Sequence, residues 1–148
     1  MSIVETQAAA KEAFLPVLRE LVSAYQAFTI YDAENLRRFD LTTSQADVIF
    51  TLGNTQGMTF KEIGDNTLIT KGTLTGVIDR LERKKLVIRM ATTSDRRCMR
   101  VVLTNKGEQT FENVFPQHIA HLKTRFEKLN KTELEEIRQS LKKIGSLF

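Results

Sequence analysis

Six residues at the start of one segment, Thr70, Lys71, Gly72, Thr73, Thr75 and Gly76, combine small hydroxyls, an ammonium and exposed backbone within two turns. Behind them Leu74, Val77, Ile78 and Leu81 recur at i, i+3, i+4 and i+7, which predicts a helix with a single buried stripe and a polar leading face. The positive end of a helix dipole and its first unpaired amides favour phosphate oxygens at such a place. Threonine can also touch base edges, including the thymine methyl, and lysine can reach guanine or phosphate. Two glycines inside a helix cost about 1 kcal/mol each against alanine. That is tolerable where another surface must approach the backbone, although simple tolerance of Gly72 and Gly76 is the plainer alternative. Arg80 can reach a phosphate on a groove wall, and such contacts position a protein on a duplex without reading its sequence. Arg83, Lys84 and Lys85 suit the negative end of the helix, or an ordinary solvated face.

A second group follows. Leu86–Met90 and Met99–Leu103 are strand-forming runs joined by a polar turn, which predicts a hairpin. At its tip Asp95 can orient a guanidinium, and Arg96 and Arg97 supply one. A narrow minor groove carries the negative potential to attract that side chain. A surface arginine with a local ion pair is the alternative.

The elements that must position these groups have clear starts. Thr42 with Gln45, and Thr59 with Glu62, have capping-box spacing. The first opens a helix burying Ala46, Ile49 and Leu52 and ending near Gly53 and Asn54, and the second opens about two turns burying Phe60 and Ile63. Asn66, Thr67 and Leu68 turn the chain, and Thr70 caps the next helix. Helices, turn and hairpin in this order predict a winged helix-turn-helix: a mainly α, α+β fold with a two-stranded wing hairpin, occupying residues 39–106.

The flanks, residues 1–38 and 107–148, predict long N- and C-terminal dimerisation helices. Phe14, Leu18, Leu21, Tyr25 and Phe28 step by 4, 3, 4, 3, and Leu134, Ile137, Leu141 and Ile144 step by 3, 4, 3, the interval of helices that pack on helices. Asn130 before Thr132 and Glu133 marks a stop and a fresh start, so the chain ends in a helical pair. Pro16 and Pro116 each mark a kink or restart. Seams this apolar predict a homodimer, the other possibility being a monomeric helical bundle.

Composition narrows the class. The chain has 148 residues, 41% hydrophobic, and a net charge of +4. From Lys61 to Lys106 there are 11 Lys and Arg against 5 Asp and Glu, a local +6 that leaves the flanks net negative. Basic charge confined to the middle is expected when that segment alone meets a polyanion. There is no apolar run near the roughly 20 residues that span a bilayer, and MSIVETQAAAKEAF does not read as a signal peptide, so the expectation is a cytoplasmic protein with no membrane partner. A glycine-rich phosphate loop, a GxSxG elbow and an HExxH motif are all absent, which argues against an enzyme and against a cofactor. His118 and His121 share a helix face without a clear third ligand, so no metal site is expected. The single cysteine, Cys98, stands among Arg96, Arg97 and Arg100, whose charge favours a thiolate, and it is either an oxidation switch or a passive thiol.

In element order and in its residues the chain resembles the multiple antibiotic resistance regulator (MarR) family. The resemblance runs almost end to end, through LTTSQADVIFTL and TKGTLTGVIDRLERKKLV, and is most specific in RLERKKLVIR, SDRR and LTNKG. It implies a homodimeric transcription factor on pseudo-palindromic DNA operators, most often a repressor released by a small-molecule effector or an oxidant. It implies that Thr70, Lys71, Thr73 and Thr75 contact the major groove, that Arg97 supported by Asp95 enters the minor groove, and that Arg96 lies near phosphate. A ligand pocket between the helical flanks and the winged segment is implied too, without its chemistry. Redox sensors of the family usually carry their cysteine in the N-terminal helix, where this chain has none. Lys85 stands where the family usually has glycine, so that turn takes either a left-handed non-glycine residue or another shape. Gly76 replaces a longer polar residue and removes one DNA contact. Two other uses of the fold stay open: binding RNA or a partner protein, and redox-responsive repression through Cys98.

Overall fold

Leu74, Val77, Ile78 and Leu81 are all at most 3% exposed, so the stripe predicted from their spacing is the inner face of a helix. The computed structural model describes residues 2–92 and 95–148, without the side chains of Thr92 and residues 95–98. The chain divides into two compact units, one ending at Ala46 and the other running from Asp47 to Phe148.

The first unit holds α1 (Ile3–Ala9), α2 (Leu15–Arg37) and the start of α3 (Thr43–Leu52). Pro16 lies in the first turn of α2, where its missing amide proton costs no hydrogen bond, so it marks a restart rather than a kink. Phe14 therefore precedes the helix as its N-cap instead of lying within it. Along α2, Leu18, Val22, Tyr25 and Phe28 are all exposed. The Thr42 capping box is present in both directions: the Gln45 amide donates to Thr42 Oγ1 at 3.1 Å and the Thr42 amide to Gln45 Oε1 at 3.2 Å.

The second unit continues α3 through its buried Ile49 and Leu52 and adds β1 (Met58–Thr59), α4 (Phe60–Asn66), α5 (Lys71–Arg83), β2 (Val87–Thr92), β3 (Asp95–Leu103), α6 (Asn105–Phe126) and α7 (Lys131–Gly145). The hairpin of β2 and β3 forms, with Val87 opposite Leu103 and Arg89 opposite Val101, and both strands extend further toward the tip than their strand-forming runs. A third strand joins it. β1 pairs antiparallel with β3, Met58 opposite Val101, giving a sheet of order β1-β3-β2. Two residues are too few to show alternation, which is why the sequence predicts the wing as two strands. Ile63 of α4 is buried, whereas Phe60 is only half-buried, because it opens the helix beside the sheet.

α6 runs unbroken through Pro116, so the restart predicted there does not occur. Ring contacts line this helix: Phe115 meets Phe50 of α3 at 5.0 Å between ring centres and Phe111, one turn earlier in α6, at 5.3 Å, and His118 stands 5.8 Å from Phe50. His118 is thus a buried member of an aromatic cluster, and no group of three metal-ligating side chains occurs among the described residues. Asn130 caps α7 with a full box, its Oδ1 accepting from the Glu133 amide at 2.9 Å. On α7, Leu134, Ile137 and Leu141 are 38%, 44% and 52% exposed. No helix among the described residues is long and apolar enough to cross a membrane.

Candidate nucleic-acid interface

α4, the turn after it and α5 present the polar leading face anticipated from the sequence. Thr70, Lys71, Gly72, Thr73, Thr75 and Arg80 are all exposed, Thr70 and Lys71 at the leading end of α5 and the others off its buried stripe. Thr70 holds the N-cap position in extended backbone, with one correction to its role. Its hydroxyl donates to Thr73 Oγ1 at 3.0 Å instead of accepting from a first-turn amide, because a second hydroxyl three residues on competes for it. The Thr73 amide donates instead to the Thr70 carbonyl at 3.0 Å, and the Thr70 hydroxyl leaves the Lys71 and Gly72 amides uncapped. A Cβ added at Gly72 would meet no described atom within 4 Å, and one at Gly76 would meet only Arg80 Nη1, at 3.7 Å. Among the described residues nothing crowds either glycine, so packing within the chain does not require glycine at these two positions.

A shallow groove of about 420 Å³ lies between α4 and the start of α5, lined by Phe60, Lys61, Gly64, Asp65, Ile69, Lys71 and Leu74. Its rim carries the exposed ion pair Lys61–Asp65 at 3.1 Å.

The end of α5 aims the wing. Lys85 has φ +61, so the left-handed non-glycine turn is the one adopted. Its amide donates to the Glu82 carbonyl at 2.8 Å and that of Leu86 to the Leu81 carbonyl at 3.0 Å, the paired bonds of a Schellman termination. Thr104 Oγ1 donates to the Lys85 carbonyl at 2.6 Å and Lys106 Nζ to that of Lys84 at 3.0 Å, which clamps the turn from the far end of the hairpin. A left-handed lysine is strained by about 1–2 kcal/mol relative to glycine. Glycine also frees the unfolded chain by about 0.4–1 kcal/mol. Lys85→Gly is therefore expected to stabilise the protein by about 0.5–1 kcal/mol, seen as a higher urea midpoint; a lower midpoint would show that the lysine stem makes up for its strain.

Two arginines that sequence reasoning missed connect the wing to the helices. On β2, Arg89 Nη1 donates to Glu82 Oε2 and Nη2 to Asp79 Oδ1, both at 2.6 Å, and the guanidinium stands 5.4 Å from the Phe60 ring centre. On β3, Arg100 Nη1 donates to the Gly57 carbonyl at 2.8 Å and lies 3.8 Å from Glu62 Oε2. Their partners sit on other elements, so no spacing rule applies to them, and in the sequence they stand only as part of the local +6. The side chains of Asp95, Arg96, Arg97 and Cys98 lie outside the described residues, although their backbone extends β3.

The sequence profile of the MarR family matches residues 41–99. The HTH-type transcriptional regulator MhqR of Bacillus subtilis (strain 168) is 30% identical over 125 residues, spanning 84% of this chain and 86% of that protein. Among solved structures, AbsC, a MarR family transcriptional regulator from Streptomyces coelicolor, superposes with a TM-score of 0.80 at 27% identity, over 99% of this chain and 95% of AbsC. BpsR of Bordetella bronchiseptica, whose DNA binding is regulated by 6-hydroxynicotinic acid, gives 0.80 at 27% identity over 90% and 96%. These relatives are transcriptional regulators and not enzymes. With its helix-turn-helix, its wing and a relative at this identity over most of both chains, the protein belongs to the MarR family of winged-helix, DNA-binding transcriptional regulators.

Proposed function

We propose that the protein is a homodimeric, sequence-specific repressor of a pseudo-palindromic operator, released by a small-molecule effector. The observation that carries the DNA-reading half is the exposed polar face of α5, backed by four buried apolar residues. In this reading Thr70, Lys71, Gly72, Thr73 and Thr75 enter the major groove and Arg80 touches phosphate. Arg97, supported by Asp95, enters the minor groove, and Arg96 lies near the backbone. Residues 39–106 form the DNA-binding part and residues 1–38 with 107–148 the dimerisation part. Support for the second half is the exposure of Phe14, Leu18, Leu134, Ile137 and Leu141, large apolar side chains that a second copy would cover. Control of BpsR by 6-hydroxynicotinic acid supports release by a small organic acid or a similar effector. A DNA-binding regulator acts in the cytoplasm, where the operator is.

Selection of bound sequences from random duplex tests the reading. An inverted repeat with half-site centres about one helical turn apart is expected. Arg80→Ala should weaken binding to every duplex alike and lower the slope of log affinity against log salt by about one. Equal affinity for scrambled duplex would remove sequence specificity from the reading.

A further inference from the structure

Arg89 does more than decorate the wing. Its side chain is only 27% exposed, and its guanidinium collects two carboxylates of α5 while covering the aromatic ring that opens α4. Asp79 follows Thr75 by four residues and Gly72 by seven, so on a helix its carboxylate lies on the stripe that carries the exposed polar groups. Glu82 follows Thr75 by seven and borders the same stripe. Two uncompensated carboxylates there would oppose the phosphate oxygens that the basic segment attracts. A planar guanidinium can engage both at once through separate nitrogens, whereas an ammonium acts as a single point charge.

We propose that Arg89 is a positioning residue for DNA recognition: it pairs with both Asp79 and Glu82 on the recognition helix, which offsets one of their two negative charges, and fixes the wing strand against that helix. This rests on the reading above that α5 meets DNA. Arg89 itself need not touch the duplex, since both its terminal nitrogens are committed to α5. The arrangement also explains how a helix meant for a polyanion carries two acids on or beside its outer stripe. They serve as the anchor points through which the wing is held.

A double-mutant cycle on the full-length protein tests it. Affinity for the selected operator is measured by fluorescence anisotropy for wild type, Arg89→Ala, the pair Asp79→Asn with Glu82→Gln, and all three together. Arg89→Ala is expected to weaken binding about tenfold in the wild-type background and less than about twofold when the two acids are already neutral, since contacting groups are strongly non-additive. Arg89→Lys is expected to fall between, because it restores the charge without the two-pronged geometry. If Arg89→Ala does not fold by circular dichroism, Arg89→Lys takes its place in the cycle with an expected loss of about threefold. Equal losses in both backgrounds, or wild-type affinity for Arg89→Lys, would mean that Arg89 acts as a simple phosphate contact and would overturn the proposal. Lys71→Ala in the same assay separates the two levels. Its loss of affinity beside an additive cycle removes only the role of Arg89, while unaltered binding in both removes the DNA-reading role of α5 as well.

Discussion

The double variant Ile137→Glu with Leu141→Glu is expected to run as a single chain at micromolar concentration and to lose operator affinity by about a hundredfold or more. Both side chains are about half exposed within one chain, so two carboxylates at these positions cost the isolated fold little. In a seam between two copies the same carboxylates would be stripped of water without partners, which costs several kcal/mol each. The effect on DNA follows from valency. Two half-sites read by linked copies bind with an effective concentration that raises affinity about 10²–10⁴-fold over one copy alone, and a monomer forfeits it. Light scattering measures the mass and anisotropy the affinity. A double variant that keeps the mass of two chains would place the dimer contact elsewhere, and a wild-type protein that is already a single chain would remove the dimer altogether. Leu18→Glu on α2 makes the same test from the other seam, since Leu18 is 47% exposed.

The second large effect concerns Gly107→Ala, expected to destabilise the protein by about 3 kcal/mol. The melting temperature should fall by roughly 10 °C. Gly107 lies in the first turn of α6, where its amide donates to Thr104 Oγ1 at 3.0 Å. A methyl on it would fall inside contact distance of the Leu86 carbonyl oxygen and 3.2 Å from Leu103 Cδ2. The backbone neighbour cannot give way, since the Leu86 amide donates to the Leu81 carbonyl and its own carbonyl accepts from the Thr104 amide, both at 3.0 Å. The end of α5, both roots of the hairpin and the start of α6 therefore meet at one residue without a side chain. Thermal denaturation measures the loss, and a shift of less than about 2 °C would show that the α6 start can slide away from the wing at little cost.

Much of this protein was legible because its signals are local. The stripe of Leu74, Val77, Ile78 and Leu81 and the helix starts at Thr42, Thr59 and Asn130 each depend on residues a few positions apart. Backbone propensity, side-chain reach and helical period act over that range, so the sequence by itself determined where α3, α4, α5 and α7 start and which face of α5 is left to solvent.

What the tertiary structure decided is how those pieces are joined. Arg100 reaches the Gly57 carbonyl across 43 positions, Thr104 reaches Lys85 across 19, and Arg89 reaches two residues of α5 from a strand. The third strand exists because β3 has a free edge beside Met58 and Thr59, and α6 continues through Pro116 amid an aromatic cluster that spacing does not reveal. Each of these depends on strand register and on which surfaces meet, and periodicity within one element says nothing of its neighbours. In sequence, Asp79 and Glu82 are two acids on a helix that should attract phosphate. In the folded chain a strand that follows the helix supplies the guanidinium that pairs with both.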